Sequence, residues 1–251
     1  MTAQHAPDHF SRVSDAYAAF RPRYPAALFD FLASLVPPHA RAWDCGAGSG
    51  QATTDLANRV REVVATDLSA EQVARAPRSA NVHWLVAAAE ASPLRDATID
   101  LTTVAQALHW FDHDRFYAEV RRVSRPGAMF AAWTYAPAAM DGEVGAALHR
   151  LMYGTVGPYW PAERRHVEAE YRTIPFPFQR METPSLSLEE WWTPAHLAGY
   201  ARTWSATARC VAKTGQDPVA AFEAELERVW GAGERRRIVW PLVLLAGRVD
   251  G

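Results

Sequence analysis

The sequence predicts an α/β fold in which helices cover both faces of a largely parallel sheet. Between residues 41 and 133, short apolar segments alternate with helix-like segments, as in successive strand–helix–strand units. The first apolar segment runs into a turn with glycines at 46, 48 and 50. After residue 133 this alternation gives way to a long aromatic interval. A turn of this kind lets a ligand lie against bare main chain, so we expect a small cofactor here.

The predicted elements of the first half follow the alternation. We predict strands at Ala40–Asp44, Val63–Asp67, Val82–Ala87, Ile99–Val104 and Ala128–Trp133. The predicted helices are Gln51–Val60, Ala70–Ala76 and Asp112–Val123. Ligands of such sheets bind at the carboxyl ends of the strands, so the residues that follow each strand are the candidate site.

The front of the chain is predicted to form a lid. Helical spacing covers Phe10–Phe20, prolines keep residues 21–25 extended, and a second helix covers Ala26–Val36. The arginines of the extended arm either cover the cofactor pocket or are solvated loop charges, and the residues alone do not decide between these.

The second half is predicted to be a substrate cap followed by a closing strand. Four helices are expected in the cap, at Glu143–Tyr153, Pro161–Tyr171, Pro194–Ala201 and Pro218–Trp230. Ile238–Ala246 is predicted to pair antiparallel with Met181–Leu188, and Pro241 indicates an irregular or edge-facing position. The predicted organisation is a single domain with a lid at 1–38, a cofactor core at 39–135, a cap at 136–234 and a closing strand at 235–251.

Composition narrows the class of protein. The formal net charge of the 251 residues is −2, which argues against a general nucleic-acid binder. Two cysteines are too few for a disulfide framework, and no apolar run is long enough to cross a bilayer. We therefore expect a cytoplasmic protein without a membrane or nucleic-acid partner, and the oligomeric state stays open.

Two acidic residues distinguish the cofactor from a dinucleotide. The glycine spacing is G-x-G-x-G, whereas a dinucleotide turn has G-x-G-x-x-G. Asp44 precedes the first glycine, where it would repel a pyrophosphate but accept hydrogen bonds from an ammonium group. Asp67 follows the second strand, in the position that receives a ribose diol. A nucleoside with a cationic amino-acid tail therefore fits better than NAD.

These residues resemble the S-adenosylmethionine (SAM) site of class I methyltransferases. The sequence is similar to the small-molecule methyltransferases of type 11 that include the trans-aconitate methyltransferases of the yeast type. The similarity extends over nearly the whole chain, and its segments are Tyr17 with residues 20–25, the glycine turn, residues 67–69, 107–112, 157–160, 200–205, and the terminal strand closing on Gly247 and Arg248. It implies a Rossmann-like, seven-stranded mixed sheet with a helical and aromatic cap inserted after the fifth strand.

The resemblance also implies the residue roles. Asp44 and the main chain of Gly46 and Gly48 would face the methionine part of SAM, and Asp67 the ribose. The other residues assigned to SAM and its product S-adenosylhomocysteine are Leu68 on the adenine face, Ala89 and Glu90 at the adenine edge, Gln106 and Ala107 beneath the sulfonium, and Arg21. No metal is required.

The acceptor side is predicted from residue chemistry. His109 is the candidate base, or else a packed histidine that holds Trp110. Arginines suit a polycarboxylate, and the candidates are Arg21, Arg23, Arg180 and Arg202. The aromatic walls are Tyr17, Trp110, Trp133, Tyr159, Trp160 and Trp204, each of which is alternatively a plain core residue.

The leading hypothesis is a methyltransferase that acts on a small molecule, at a carboxylate or a hydroxyl. Three alternatives stay open: an NAD-type dehydrogenase, a SAM-sensing module without catalysis, and a methyltransferase of macromolecules. The motifs do not identify the acceptor.

Overall fold

The computed structural model describes residues 20–231 and 235–250. These residues form two compact units. The sheet unit contains residues 23–138, 163–188 and 239–250, and the helical unit contains the described residues of 20–22, 139–162 and 189–238. Of the predicted helix Phe10–Phe20, only Phe20 belongs to the described residues. Tyr17 lies outside them.

An eight-stranded sheet runs in the order β3-β2-β1-β4-β5-β8-β6, and β7 also pairs with β8. Its strands are β1 Arg41–Cys45, β2 Glu62–Asp67, β3 Val82–Val86, β4 Ile99–Ala105, β5 Ser124–Tyr135, β6 Gln179–Arg180, β7 Leu186–Trp192 and β8 Arg236–Arg248. The first five strands are mutually parallel, and β8 is antiparallel to β5 and β6. The predicted mixed α/β sheet is confirmed.

Strand register brings the predicted site residues to one edge of the sheet. Asp44 of β1 pairs with Ala65 of β2 and with Thr103 of β4. The carboxyl ends of these three neighbouring strands therefore lie side by side, as they must when parallel strands are in register. The central strands β1 and β4 are buried along nearly their whole length, as is typical of parallel strands, and their buried residues include the polar side chains of Asp44, Thr102 and Thr103.

The number of helices agrees with the prediction more closely than their lengths do. The sheet unit contains α1 Ala26–Ser34, α2 Thr53–Ala57, α3 Ala70–Arg75, α4 His113–Val123 and α6 Arg164–Glu168. The helical unit contains α5 Gly142–His149, α7 Pro194–Arg202, α8 Ser205–Thr214 and α9 Val219–Val229. The segment Arg150–Thr155 continues α5 as a π-helix.

The structure differs from the prediction at α6, at α8 and at the partner of the closing strand. Helix α6 is shorter than Pro161–Tyr171 because Glu170 and Tyr171 adopt positive φ angles of 52° and 57°, which no α-helix accommodates. Helix α8 was not predicted. Of the expected partner of the closing strand, Met181–Leu188, only residues 186–188 belong to a strand, which is β7; β6 precedes this segment, and both β6 and β7 pair with β8.

Pro241 lies inside β8, which is not an edge strand. The last residue pair between β5 and β8 joins Tyr135 to Leu242, and the Pro241 carbonyl accepts from the Ala136 amide at 3.0 Å. Pro241 therefore lies just beyond this ladder, where its missing N–H removes no bond to β5. The two cysteines, Cys45 and Cys210, are buried and free.

Candidate functional site

The glycine turn after β1 is tied to β2 by main-chain hydrogen bonds. Gly46, Gly48 and Gly50 have φ angles of 69°, 55° and 92°, which L side chains rarely adopt. The amides of Gly46 and Ala47 donate to the Thr66 carbonyl at 2.8 and 3.0 Å. These bonds fix the turn at the edge where β1 and β2 end.

Two of these glycines have different surroundings. A Cβ atom on Gly46 would lie 2.7 Å from the Cβ of Ala107, so this position serves close packing within the protein. A Cβ on Gly48 would meet no atom of the described residues within 4 Å. The main chain at Gly48 therefore borders open space, which is the condition for a ligand to lie directly against it.

Asp67, at the end of β2, binds the Gly48 amide and so lies beside the same space. Its Oδ2 accepts from the Gly48 amide at 2.8 Å, and its Oδ1 accepts from the Ser69 amide at 2.8 Å. A carboxylate is the acceptor type that suits a ribose hydroxyl, because each of its oxygens carries two lone pairs. The next residue, Leu68, is 64% exposed, which is unusual for a leucine and suits an apolar ligand face.

Asp44 lies beneath the turn and is completely buried. Its carboxylate accepts hydrogen bonds from the hydroxyls of Thr53, at 2.6 Å, and Thr103, at 3.0 Å. Burial raises the pKa of Asp44 to about 6, against the lowering effect of these hydrogen bonds. The structure thus shows this carboxylate joining β1, β4 and α2, and its predicted contact with an ammonium group remains a prediction.

The residues after β4 complete this edge of the sheet. Gln106 has a φ of 55°, and its amide N–H donates to the Trp133 carbonyl at 2.9 Å. The Gln106 side-chain oxygen accepts from the hydroxyl of Thr134 at 2.8 Å. Ala107 packs against Gly46. Gln106 is therefore held at both its main chain and its side chain.

Glu90 ties the loop after β3 to the start of α4. Its Oε1 accepts from the Asp112 amide at 3.0 Å, and Asp112 caps α4 by accepting from the Arg115 amide. The neighbouring Ala89 is 8% exposed. The predicted adenine-edge residues are thus anchored in the core of the sheet unit.

His109 lies in a short 3₁₀ turn, Leu108–Trp110, directly after β4. Its Nδ1 is 2.9 Å from the hydroxyl of Tyr171. Burial lowers the pKa of His109 to about 3, with further lowering from His166, Arg164 and His113. The imidazole is therefore neutral at pH 7. Sequence reasoning missed Tyr171, because it belongs to the predicted cap helix and no local pattern connects it to β4.

The predicted aromatic walls differ in exposure. Within the sheet unit, Trp133 is completely buried and packs edge-on against Tyr24 and Phe29, with ring centroids 5.7 and 6.3 Å apart. Trp110 is 37% exposed. Within the helical unit, the Trp160 and Trp204 rings are 5.6 Å apart, and Lys213 lies over the Tyr159 ring.

The predicted arginines occupy separate environments. In the helical unit, Arg21 donates to the Thr203 carbonyl at 3.1 Å, and Arg202 pairs with Asp217 and Glu223. Arg23 belongs to the sheet unit. Arg180 pairs with Gly247 of β8, as Phe130 of β5 also does, and so lies away from the carboxyl end of β5. A role of Arg180 at the acceptor site stays a prediction.

The described residues contain no group of three potential metal-ligating side chains. Among them, no helix combines the length and apolarity needed to span a bilayer. This edge of the sheet combines main-chain donors, three carboxylates, one exposed leucine and one neutral histidine.

The sequence and the structure match known methyltransferases. Residues 43–132 match the family model described as a methyltransferase domain. A candidate methyltransferase of Dictyostelium discoideum is 31% identical over 227 residues, which cover 89% of this chain and 86% of that protein. The solved structure of a candidate type II methyltransferase from Anaeromyxobacter dehalogenans is 47% identical, covers 92% of this chain and 98% of its own, and superposes with a TM-score of 0.83.

The chain belongs to the class I SAM-dependent methyltransferases. The seven-stranded Rossmann-like sheet of this family is present, with the partner of its closing strand divided in two. A methyltransferase of Methylococcus capsulatus named malonyl-[acyl-carrier protein] O-methyltransferase is 31% identical over 183 residues, which cover 68% of this chain and 64% of that protein. The trans-aconitate subfamily is not identified by any of these relatives.

SAM is the methyl donor of this family, and the described residues fit it. The open space beside Gly48, the carboxylate of Asp67 and the exposed Leu68 match a nucleoside with hydroxyl groups and an aromatic base. Gly48 follows β1, and Asp67 and Leu68 lie at the end of the neighbouring strand β2. One elongated ligand at this edge would extend across both strand ends.

Proposed function

We propose that this methyltransferase transfers the methyl group of SAM to an oxygen of a small-molecule acceptor, either a carboxylate or a hydroxyl. The observation that carries the proposal is the open space beside Gly48, bordered by the carboxylate of Asp67 and the exposed side chain of Leu68.

In this proposal each strand end holds one part of the cofactor. Asp67 accepts hydrogen bonds from the ribose hydroxyls, and Leu68 covers one face of the adenine. The main chain at Gly46 and Gly48 faces the methionine part, with Asp44 supplying negative charge from below. Ala89 and Glu90 border the adenine edge, and Gln106 with Ala107 lies beside the sulfonium.

SAM supplies an electrophilic methyl group when it is bound, so the protein mainly aligns the acceptor and excludes water. Alignment of this kind supplies about 7 to 11 kcal/mol of the barrier in well-oriented reactions. A carboxylate is already a nucleophile at pH 7, whereas a hydroxyl must lose a proton. His109 is the residue at this edge of the sheet that is suited to orient the acceptor oxygen.

Two observations support an oxygen of a small molecule. The net charge of −2 provides no general attraction for nucleic acid. The Methylococcus relative is named an O-methyltransferase. Its name also refers to a carrier protein, which makes an acceptor carried on such a protein the second candidate. For the acceptor walls, Trp110, Trp133 and Arg23 of the sheet unit remain proposals, as do Tyr159, Trp160, Arg202 and Trp204 of the helical unit.

The role of Asp67 provides the direct test. We expect Asp67→Ala to weaken binding of S-adenosylhomocysteine by about 1 to 3 kcal/mol, because the ribose hydroxyls lose their acceptor. Titration calorimetry on the full chain measures this, and the thermal shift with SAM, S-adenosylhomocysteine or NAD identifies the ligand that stabilises the native state.

Asp30→Ala is the matched control, because Asp30 is an exposed carboxylate paired with Arg59 on the surface. Its affinity for S-adenosylhomocysteine should equal that of the unmodified chain. Unchanged affinity in Asp67→Ala, or stabilisation by NAD alone, would contradict the proposal. Incorporation of labelled methyl groups into extracted small molecules then distinguishes an enzyme from a module that only binds SAM.

A further inference from the structure

A tyrosine far along the chain is aimed at His109. Tyr171 is completely buried, and its hydroxyl lies 2.9 Å from His109 Nδ1. Both Glu170 and Tyr171 have positive φ angles, 52° and 57°, a conformation that non-glycine residues adopt at an energetic cost. The Tyr171 amide donates to the His166 carbonyl at 2.8 Å, which holds this bend in place. A strained segment therefore delivers the phenol to the imidazole.

Both members of this hydrogen bond are neutral. Burial holds the pKa of Tyr171 well above its ordinary value, and burial lowers the pKa of His109 to about 3. The charged or titratable groups that face His109 are Tyr171, Arg164 and His166 from the segment containing α6, and His113 from α4. Three of these groups carry or can acquire positive charge, so they disfavour an imidazolium at this position.

The direction of the hydrogen bond follows from the acidity of the two partners. A neutral imidazole has one nitrogen that donates and one that accepts. A phenol is a far stronger acid than a neutral imidazole N–H, and an imidazole nitrogen is a better acceptor than a phenol oxygen. The favoured arrangement has the Tyr171 hydroxyl donating to Nδ1, which leaves the proton of His109 on Nε2.

We propose that Tyr171 is a positioning residue that holds His109 in its Nε2–H tautomer, so that His109 presents a hydrogen-bond donor at the carboxyl end of β4. This inference rests on the proposed function, since it gives a task to a residue of the same site. A donor at this position orients the acceptor oxygen without removing a proton from it. A carboxylate acceptor then reaches the site with its attacking lone pair already available and needs no base.

The structure also defines the opposite arrangement. Thr134 donates its hydroxyl hydrogen to the Gln106 side-chain oxygen at 2.8 Å, so its own oxygen can only accept from Tyr171. If the phenol donated to Thr134, it would accept from an Nδ1–H of His109. His109 would then present a lone pair on Nε2, as a general base does.

Nitrogen NMR of the full chain with ¹⁵N-labelled histidine decides between the two tautomers. The His109 signals are assigned by their loss in His109→Gln. We expect an unprotonated Nδ1 and a protonated Nε2 in the unmodified chain at pH 7.5. In Tyr171→Phe, which keeps the ring but removes the hydroxyl, we expect the two tautomers to become mixed.

Tyr117→Phe is the matched control. Tyr117 belongs to the same buried cluster as Tyr171, and its hydroxyl donates to the Pro175 carbonyl at 2.7 Å. This variant loses a buried hydrogen bond of the same kind without touching the Nδ1 of His109, so its tautomer should match the unmodified chain. Affinity for S-adenosylhomocysteine should change less than about twofold in both tyrosine variants.

An unprotonated Nε2 in the unmodified chain would overturn the proposal, and so would the same single tautomer in Tyr171→Phe. The measurement in the unmodified chain stands even if a variant fails to fold. It is also separate from the proposed function, because failure to bind S-adenosylhomocysteine would refute methyl transfer while leaving the tautomer assignment intact.

Discussion

A change of pH has opposite effects on the contributions of Asp44 and His109 to the free energy of unfolding. The pKa of Asp44 is about 6 in the folded chain and 3.8 as an unperturbed group, so its contribution is fully present below pH 3.8 and is lost as pH rises through 6. The pKa of His109 is lowered from 6.5 to about 3, so its contribution is lost as pH falls from 6.5 towards 3. Each shift has the sign expected for a buried charge.

We therefore expect Asp44→Asn to be more stable than the unmodified chain at pH 8, by an amount on the order of 3 kcal/mol, since the variant buries no charge. The difference should shrink as the pH is lowered to 5. Urea unfolding at the two pH values measures it, and a difference independent of pH would show that the carboxyl of Asp44 carries no burial penalty. Binding of S-adenosylhomocysteine should weaken in the same variant if its negative charge serves the ammonium group.

Single residues of the site differed in how far the sequence predicted them. Asp67 was predicted because a carboxylate after the second strand follows a known register, and the structure places it in contact with Gly48. Tyr171 was not predicted, because its contact with His109 joins positions 62 residues apart. No periodicity or motif encodes a contact over such a separation.

The glycine turn allows packing and ligand space to be tested separately. Gly46→Ala places a Cβ 2.7 Å from Ala107, so we expect it to lose about 2 to 5 kcal/mol of stability through crowding and its positive φ. Gly48→Ala suffers only the φ cost, about 1 to 2 kcal/mol, but its methyl group enters the open space. Its affinity for S-adenosylhomocysteine should fall by about tenfold or more, or about 1.4 kcal/mol. Urea unfolding and calorimetry measure the two effects.

Gly215→Ala is the control for this pair. Gly215 ends α8 with a φ of 73°, and a Cβ there meets no atom within 4 Å, as at Gly48. It should lose a similar amount of stability without any loss of cofactor affinity. Equal affinity losses in Gly48→Ala and Gly215→Ala would mean that the turn does not border the cofactor.

The boundaries of helices and strands depend on tertiary contacts more than their types do. The sequence therefore predicted the types of the elements better than their ends. Every parallel strand was predicted in its place, because apolar runs of strand length between turns leave few alternatives. The divided partner of β8 was not predicted, since β6 has only two residues and its pairing with β8 defines it. Helix α6 ended early because of main-chain conformations at residues 170 and 171 that composition does not reveal.

At the scale of the whole molecule, charge is the property that bears on partners. The net charge is −2, and the arginines of the run at 235–237 are partly engaged within the protein. Arg236 donates to the Trp230 carbonyl at 2.8 Å, and Arg237 pairs with Glu189 at 2.7 Å. Arginines engaged in this way contribute little to a basic surface for phosphates.

We expect the full chain not to bind transfer RNA, because few phosphate contacts are available to release counterions. Fluorescence anisotropy with labelled RNA at about 50 mM and 200 mM salt measures this, and protein concentrations up to about 10 μM should leave the signal unchanged. Micromolar binding that weakens steeply with salt would instead support the hypothesis that the methyl acceptor is a nucleic acid. Cofactor binding under the same conditions confirms that the protein is folded.

The sequence by itself determined the sheet and the place of the cofactor turn, because these depend on local features: strand-length apolar runs, glycines at fixed spacing and acidic residues after two strands. The class of reaction came from the resemblance of these segments to class I methyltransferases. Only the tertiary structure decided that Asp44 is buried beneath the turn, that Gly48 alone of two neighbouring glycines borders open space, and that Tyr171 meets His109. The physical reason is that burial, open space and long-range hydrogen bonds are properties of surroundings, which are assembled from distant parts of the chain only when it folds.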